Sequence, residues 1–372
     1  MATPHDAGDL TLVGRSGEHS FIDQPGRRTS PSSSSAEVGM AEAAPVAADP
    51  PLLARSYRIV NVGADAFAFT DLTRTALGGV QNRQFRLFTP VKRERMRLPT
   101  SLPEFAGLRH VANLSDSPVT VAAEIGGHWS EHNLAAITHV AACNFRCAYC
   151  YVDFRHLSGQ DAFLAAAADV VDEFVKLRQA AGNAGRRLSL LRISGGEPFL
   201  APALVLGIYR QMLRRDLLDV AVLKVESNLS TLPYALEQSR LTLTPDERGS
   251  LRRVKVHTTL HAPPGTTSWP AIRRGLETAM ELGFDVFPAV GANDWTTEQL
   301  EQLFGELQAV NTALPLRLAV RPFHLDYPVL ADRRGLPTPR ESEAPSMIWE
   351  RILLERLGVR YLERPRHLVP VE

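Results

Sequence analysis

From about residue 133 onward the chain alternates strand-like and helix-like stretches, and that alternation restricts its fold more than any other feature. Leu134–Ala141 reads as a strand, Ala162–Ala181 as a helix, Leu188–Ser194 as a strand and Ala203–Arg214 as a helix. Strand Val220–Asn228 follows, then a helical stretch opened by Thr244, Pro245, Asp246 and Glu247. Val254–Leu260, Phe284–Val290 and Leu316–Val320 complete a set of six strands, with helices Trp269–Leu282 and Thr297–Val310 between them. Gly283 stands where a C-cap would, and Thr296 to Gln299 has the pattern of a capping box. Six strands alternating with helices imply a parallel sheet with crossover helices. No internal repeat is visible.

Successive side chains of a strand point to opposite faces, and here the faces sort by polarity. Arg192 and Ser194 oppose Leu191 and Ile193, while Lys224, Glu226 and Asn228 oppose Leu223, Val225 and Ser227. Lys255, His257, Thr259 and His261 oppose Val254, Val256 and Leu260, and Arg317 and Arg321 oppose Leu316, Leu318 and Val320. The apolar face suits packing against helices. The polar face suits an interior that holds polar ligands, because a fully packed barrel core is branched and apolar. Glu226, Asn228, Thr259, His261 and Arg321 lie near the C-terminal strand ends and are expected to contact ligand. Lys224, Lys255 and Arg317 sit lower and are expected to form a structural charge network with Glu226.

The flanks differ in texture. Residues 1–52 read as a disordered tail, with a serine run at 32–35, few aromatics and no sustained periodicity. Residues 53–130 read as a β-rich accessory region, with short strands at Tyr57–Val62, Ala66–Thr70, Gln84–Phe88 and Val119–Ala123. Residues 131–325 hold the alternating core, and 326–372 form a Pro- and Arg-rich C-terminal extension with one helix, Pro345–Leu357. That extension is expected to cross the open side or the bottom of the core.

The chain's three cysteines, Cys143, Cys147 and Cys150, fall within eight positions and occur nowhere else in 372 residues. An odd, clustered set argues against a disulfide framework and for a reducing compartment. Three thiolates do not complete a tetrahedral structural zinc site. They suffice for three irons of a [4Fe–4S] cube, leaving the fourth iron open to an exchangeable ligand; zinc completed by a distant histidine is the alternative. Further along stands Ser194-Gly195-Gly196-Glu197-Pro198, where two glycines remove side chains at a strand end.

The Cys-x3-Cys-x2-Cys spacing, with Tyr149 before the last cysteine and the Gly-Gly-Glu-Pro turn behind it, resembles the radical S-adenosylmethionine (SAM) superfamily. The resemblance covers about 200 residues of the 372. It implies a partial (β/α)6, TIM-like barrel, with Cys143, Cys147 and Cys150 on three irons and the amino and carboxylate groups of SAM on the fourth. It implies reductive cleavage of SAM to a 5′-deoxyadenosyl radical that abstracts substrate hydrogen, the electron coming from an external flavodoxin- or ferredoxin-like donor. Tyr149 is then expected near the adenine. Gly195, Gly196, Glu197 and Pro198 are expected at the methionyl ammonium, and Asn228 and Thr259 at the ribose and carboxylate. Glu226, His261 and Arg321 remain as catalytic candidates facing the substrate. Asn144 and Arg146 read either as donors to cluster sulfur or as exposed loop polarity. Gly291-Ala-Asn293-Asp294 resembles a loop of the family, and His324 and Asp326 fall just beyond the sixth strand.

Absences narrow the class. Without further cysteines there is no auxiliary cysteine-ligated cluster, and no Asp-x-His-x-x-Gly motif for cobalamin occurs. The expectation is hydrogen abstraction on a small polar molecule, leading to rearrangement, epimerisation, dehydration, decarboxylation or carbon–carbon bond formation. A glycyl-radical activase acting on a protein, and a non-catalytic iron–sulfur or zinc scaffold, stand as alternatives. Formal net charge is zero, so nothing points to nucleic acid or an anionic membrane. No apolar run spans a bilayer and no signal peptide is evident, so a cytoplasmic location is expected.

Overall fold

Six strands lie side by side and parallel: β3 (Leu134–Val140), β5 (Leu188–Gly195), β6 (Val222–Ser227), β7 (Val254–Thr259), β8 (Asp285–Gly291) and β9 (Ala319–Arg321). The computed structural model describes residues 50–63, 65–72, 85–87, 117–128, 131–132, 134–183, 185–239, 241–291, 295–321, 328–331, 333–336, 344–360, 366 and 369–371. Among the described residues three further strands pair antiparallel. These are β1 (Phe67–Thr70), which joins β3 and β4 (Ala162–Ala165), and β2 (Phe85–Leu87), which joins β3. The order β4-β1-β3-β5-β6-β7-β8-β9 does not return on itself, so the sheet is open.

Helices α1 (Pro50–Val60), α2 (Ser117–Ile125) and α3 (Phe154–Leu157) belong to the first part of the chain. Then come α4 (Ala167–Asn183), α5 (Pro202–Arg214), α6 (Leu232–Ser239), α7 (Pro245–Ser250), α8 (Trp269–Glu281), α9 (Thr297–Val310), α10 (Leu314–Arg317) and α11 (Pro345–Leu357). Leu191, Ile193, Leu223, Val225, Val254 and Val256 are buried in one core with Leu204 and Ile208 of α5, Ile272 and Leu276 of α8, and Leu300 and Leu307 of α9. The helical partners recur at the three-to-four-residue spacing that gives a helix one apolar stripe. Thr296 and Gln299 form the expected reciprocal cap of α9, and Thr244 with Glu247 does the same for α7.

On the other face, ladder partners align the polar residues: Arg192 beside Lys224, Lys224 beside Lys255, Lys255 beside Asp285, and Glu226 beside His257. The single charge network expected there is two. Lys224 reaches Glu226 at 3.3 Å, whereas Lys255 pairs with Glu124 of α2 at 2.6 Å and with Asp285 at 2.8 Å. Arg317 joins the second set through Asp285 and also donates to the carbonyls of Val286 and Val369.

Several expected boundaries are corrected. Tyr57–Val62 is not a strand: residues 53, 56, 57 and 60 face inward, which is helical spacing, and α1 covers them to Val60. Val119–Ala123 lies inside α2, where Pro118 stands in the first turn and tolerates the missing N–H. Ala162–Ala165 is a strand because β1 offers it an edge, and the Asp169 carboxylate accepts from the N–H of Ala166 just before α4 begins. Leu316–Arg317 is the end of α10 rather than a strand, so the parity argument for Arg317 does not hold and β9 is only Ala319–Arg321. The expected accessory strands that do form, β1 and β2, join the main sheet. Residues 1–49, 292–294 and 322–327, with Asn293, Asp294, His324 and Asp326, lie outside the described residues.

Close contact between α8 and the turn after β6 depends on a glycine. A Cβ on Gly275 would lie 2.1 Å from the Leu229 carbonyl oxygen, and that turn is already committed by the left-handed backbone of Leu229, φ 59°. Gly275→Ala is expected to destabilise the protein by about 2 kcal/mol or more in urea unfolding, because backbone on the far side cannot yield. Gly305→Ala, on an exposed face of α9 with open space around it, is expected to stabilise by roughly 0.5 kcal/mol through lost unfolded-state entropy.

Candidate metal centre and ligand site

The cysteine loop leaves the C-terminal end of β3 and is tied down from several sides. Cys150 N–H donates to the Cys147 carbonyl at 3.0 Å, closing a tight turn. Ser56 of α1 donates to the Cys143 carbonyl at 3.0 Å. Asn144 is fully buried; its amide donates to Ser230 Oγ and accepts from the Asn228 amide, each at 3.0 Å. It is therefore not exposed loop polarity. Arg146 is exposed and lies 5.9 Å from the Phe154 ring.

The Gly195–Pro198 turn locks onto the same segment. Gly196 N–H donates to the Val140 carbonyl at 3.0 Å and Glu197 N–H to the Ala142 carbonyl at 2.7 Å. A Cβ on Gly196 would sit 1.9 Å from Ala142 O, and one on Gly195, at φ +95°, 2.7 Å from His139 Cβ. Both glycines are thus required by the approach of β5 to the exit of β3. Glu197 is buried, its carboxylate accepting from Ser227 Oγ at 2.6 Å, Asn228 N–H at 2.6 Å and Phe199 N–H at 2.9 Å. Burial nonetheless outweighs these donors and pushes its carboxyl up to about 7. Pro198 opens the short helical turn that Glu197 caps.

All three cysteines are free thiols, Cys147 buried and the others partly so. Burial pushes each thiol up, Cys147 to about 12, and the thiolates raise one another: Cys147 and Cys150 act on Cys143, and Cys150 on Cys147. They are therefore close enough to feel each other's charge. Among the described residues no three His, Cys, Asp or Glu side chains are arranged to hold a single metal ion. A cube spreads its cysteines over separate irons, and three soft thiolate donors on one loop suit such a group.

No family model matches the chain. Two curated proteins named GTP 3′,8-cyclase, from two strains of Stenotrophomonas maltophilia, are similar to it. Each is 32% identical over 155 residues, which is 41% of this chain and 42% of the relative. The chain thus spans less than half the length of these relatives.

Beside the loop, His261 meets two of its side chains. Its Nδ1 is 2.7 Å from the Tyr149 hydroxyl and 3.5 Å from Cys147 Sγ. The Tyr149 ring stacks on it, with centroids 5.9 Å apart, and Phe145 meets it edge-on. Burial lowers the imidazole to about 4, so it is neutral near pH 7. Glu226 accepts from Arg192 and, at 2.7 Å, from Ser194 Oγ, which in turn is 3.2 Å from the Tyr151 hydroxyl. Burial alone would raise this carboxyl, but the charges of Arg192 and Lys224 hold it well below the usual range. Thr259 and Arg321 lie on the same face as His257, partly exposed, with Arg321 beside Gly291 at the open end of β9.

The strand ends thus gather Cys147, Tyr149 and His261 in one contact group and Glu197, Asn228 and Asn144 in another. Ser230, Tyr151 and Arg333 were not legible as site residues. Tyr151 carried one faint signal, an aromatic next to the last cysteine. Arg333 carried none, because its contact with the loop spans more than 180 positions.

Two outcomes follow from this geometry. Asn144→Ala is expected to cost about 1–3 kcal/mol in chemical unfolding, since it strands the Asn228 and Ser230 groups it satisfies. Glu197 binds its proton more tightly folded than unfolded, so its contribution to stability is full below about 4.5 and is lost as pH rises towards about 7. His261 acts with the opposite sign over part of that window. The measurement is therefore the difference in thermal stability between wild type and Glu197→Gln, which should shrink as pH rises from about 4.5 to about 7.

Proposed function

We propose that this chain is a radical SAM enzyme in which Cys143, Cys147 and Cys150 hold a [4Fe–4S] cluster open to SAM, acting on a small polar substrate. One observation carries the reading: the chain's only cysteines share one loop, clamped by backbone hydrogen bonds to the Gly-Gly-Glu-Pro turn. The partial similarity to the GTP 3′,8-cyclases supports an enzyme with a small-molecule substrate over an activase of a protein. The open sheet of six parallel strands is in keeping with a partial (β/α)6 barrel spanning 131–325, flanked by an accessory region at 53–130 and an extension from 326. When bound, cluster and SAM supply reductive cleavage of the sulfonium and hydrogen abstraction from the substrate, fed by an external flavodoxin- or ferredoxin-like donor.

The chain's own residues bind, orient and exclude water. Gly195, Gly196, Glu197 and Pro198 keep the turn flat against the loop, so backbone groups there are available to an ammonium. We assign the ribose and carboxylate to Thr259 and to Asn228, whose buried amide also bonds Asn144 and Ser230, and the adenine to Tyr149. His261, neutral and packed on Tyr149 and Cys147, adds no charge beside the thiolates while closing the loop against solvent. Glu226 is ionised and committed to Arg192, Lys224 and Ser194. Its role is to hold that polar face in place, and through Ser194 it fixes the Tyr151 hydroxyl. Arg321, beside Gly291 at the end of β9, is the residue we assign to substrate contact.

The deciding experiment is anaerobic. Reconstituted protein with SAM and dithionite is expected to be brown and to release 5′-deoxyadenosine, and Cys147→Ala is expected to lose both properties. A protein that assembles a cluster yet releases no 5′-deoxyadenosine, even with cell extract as a source of substrate, would overturn the reading.

A further inference from the structure

We propose that Arg333, from the C-terminal extension, is a positioning residue that sets both the shape of the cysteine loop and the charge beside it. Its Nη1 lies 2.6 Å from the Cys150 carbonyl oxygen, 3.2 Å from that of Ala148 and 3.4 Å from that of Cys147. Its Nη2 lies 2.8 Å from the Val152 carbonyl. The guanidinium carbon also lies over the Phe154 ring, 4.1 Å from its centroid. One side chain therefore gathers carbonyls along the whole stretch between the second cysteine and the residues after the third.

The geometry demands arginine. A guanidinium presents several N–H donors in a rigid plane, whereas an ammonium is a compact point charge that cannot stack and span the same carbonyls. In a trans peptide the N–H points opposite to the C=O. Turning four carbonyls towards Arg333 therefore turns the N–H groups of Ala148, Tyr149, Tyr151 and Asp153 away from it, and so determines the loop's conformation. No carboxylate among the described residues pairs with the guanidinium. Its charge lies close enough to act on Cys147 and Cys150, and so on whatever the loop binds. Cluster potentials respond to nearby charge and hydrogen bonding, and a fixed cation favours the reduced, more negative state.

The shape half stands on the protein without metal; the charge half rests on the cluster reading above. Hydrogen exchange of metal-free protein tests the first. Arg333→Gln and Arg333→Lys are both expected to speed exchange of amides in residues 147–153 while leaving β5 and β6 protected. Unchanged exchange in that stretch would sink the clamp. Redox titration of the reconstituted cluster tests the second. Arg333→Gln is expected to move the midpoint potential downward, and Arg333→Lys, which keeps the charge, to move it less. Equal potentials in all three proteins would overturn the charge role while sparing the clamp. A wild type that assembles no cluster would overturn the cluster reading and the charge role with it, and the exchange experiment would still decide the clamp.

Discussion

A buried carboxylate at the ends of three strands holds the candidate site together. Glu197 leaves β5, donates its own N–H to Ala142 after β3, and accepts from Ser227 and Asn228 at the end of β6. Every polar group it meets is buried, so an unmade bond there would carry the full desolvation cost. Asn144 and Ser230 extend the same web into the cysteine loop. The loop is thereby seated on a satisfied polar floor that a longer or shorter side chain at Glu197 would not complete.

Charge in the sheet interior divides by height. At the end where the chain enters the strands, Glu124, Lys255, Asp285 and Arg317 neutralise one another and join α2, β7, β8 and the residues near the C-terminus. Nearer the strand exits, Glu226 answers Arg192 and Lys224. Lys224 and Lys255 are ladder neighbours, and each is given its own carboxylate, which is what permits two cations side by side in a buried layer. The upper set, with His257, Thr259 and Arg321, keeps the exit end polar.

The loop is also held from outside the sheet, by parts of the chain far away in sequence. Ser56 of α1 reaches Cys143, and Arg333 reaches the stretch from Cys147 to Val152. Neither contact follows from the alternating core. Each makes a flanking region contribute to the geometry of the thiols, which a loop fixed only at its two ends would not control.

Periodicity and rare residues determined a good deal unaided. The parallel core, the apolar and polar strand faces, the cap of α9, the helix Pro345–Leu357 and the cysteine loop with its glycine turn are all legible, because each is a local pattern of spacing. Leu191 and Arg192 declare opposite faces by adjacency alone. What only the tertiary structure decided is anything set by a distant partner. Ala162–Ala165 is a strand because β1 offers it an edge, and Tyr57 lies in a helix despite its β-prone neighbours because residues 53, 56, 57 and 60 face the core together. Lys224 and Lys255, alike in sequence, serve different networks because different acids fold beside them. Arg333 matters to the cysteines only because folding carries it there. Local spacing encodes which face a side chain takes, whereas the group it meets depends on the packing of the whole chain.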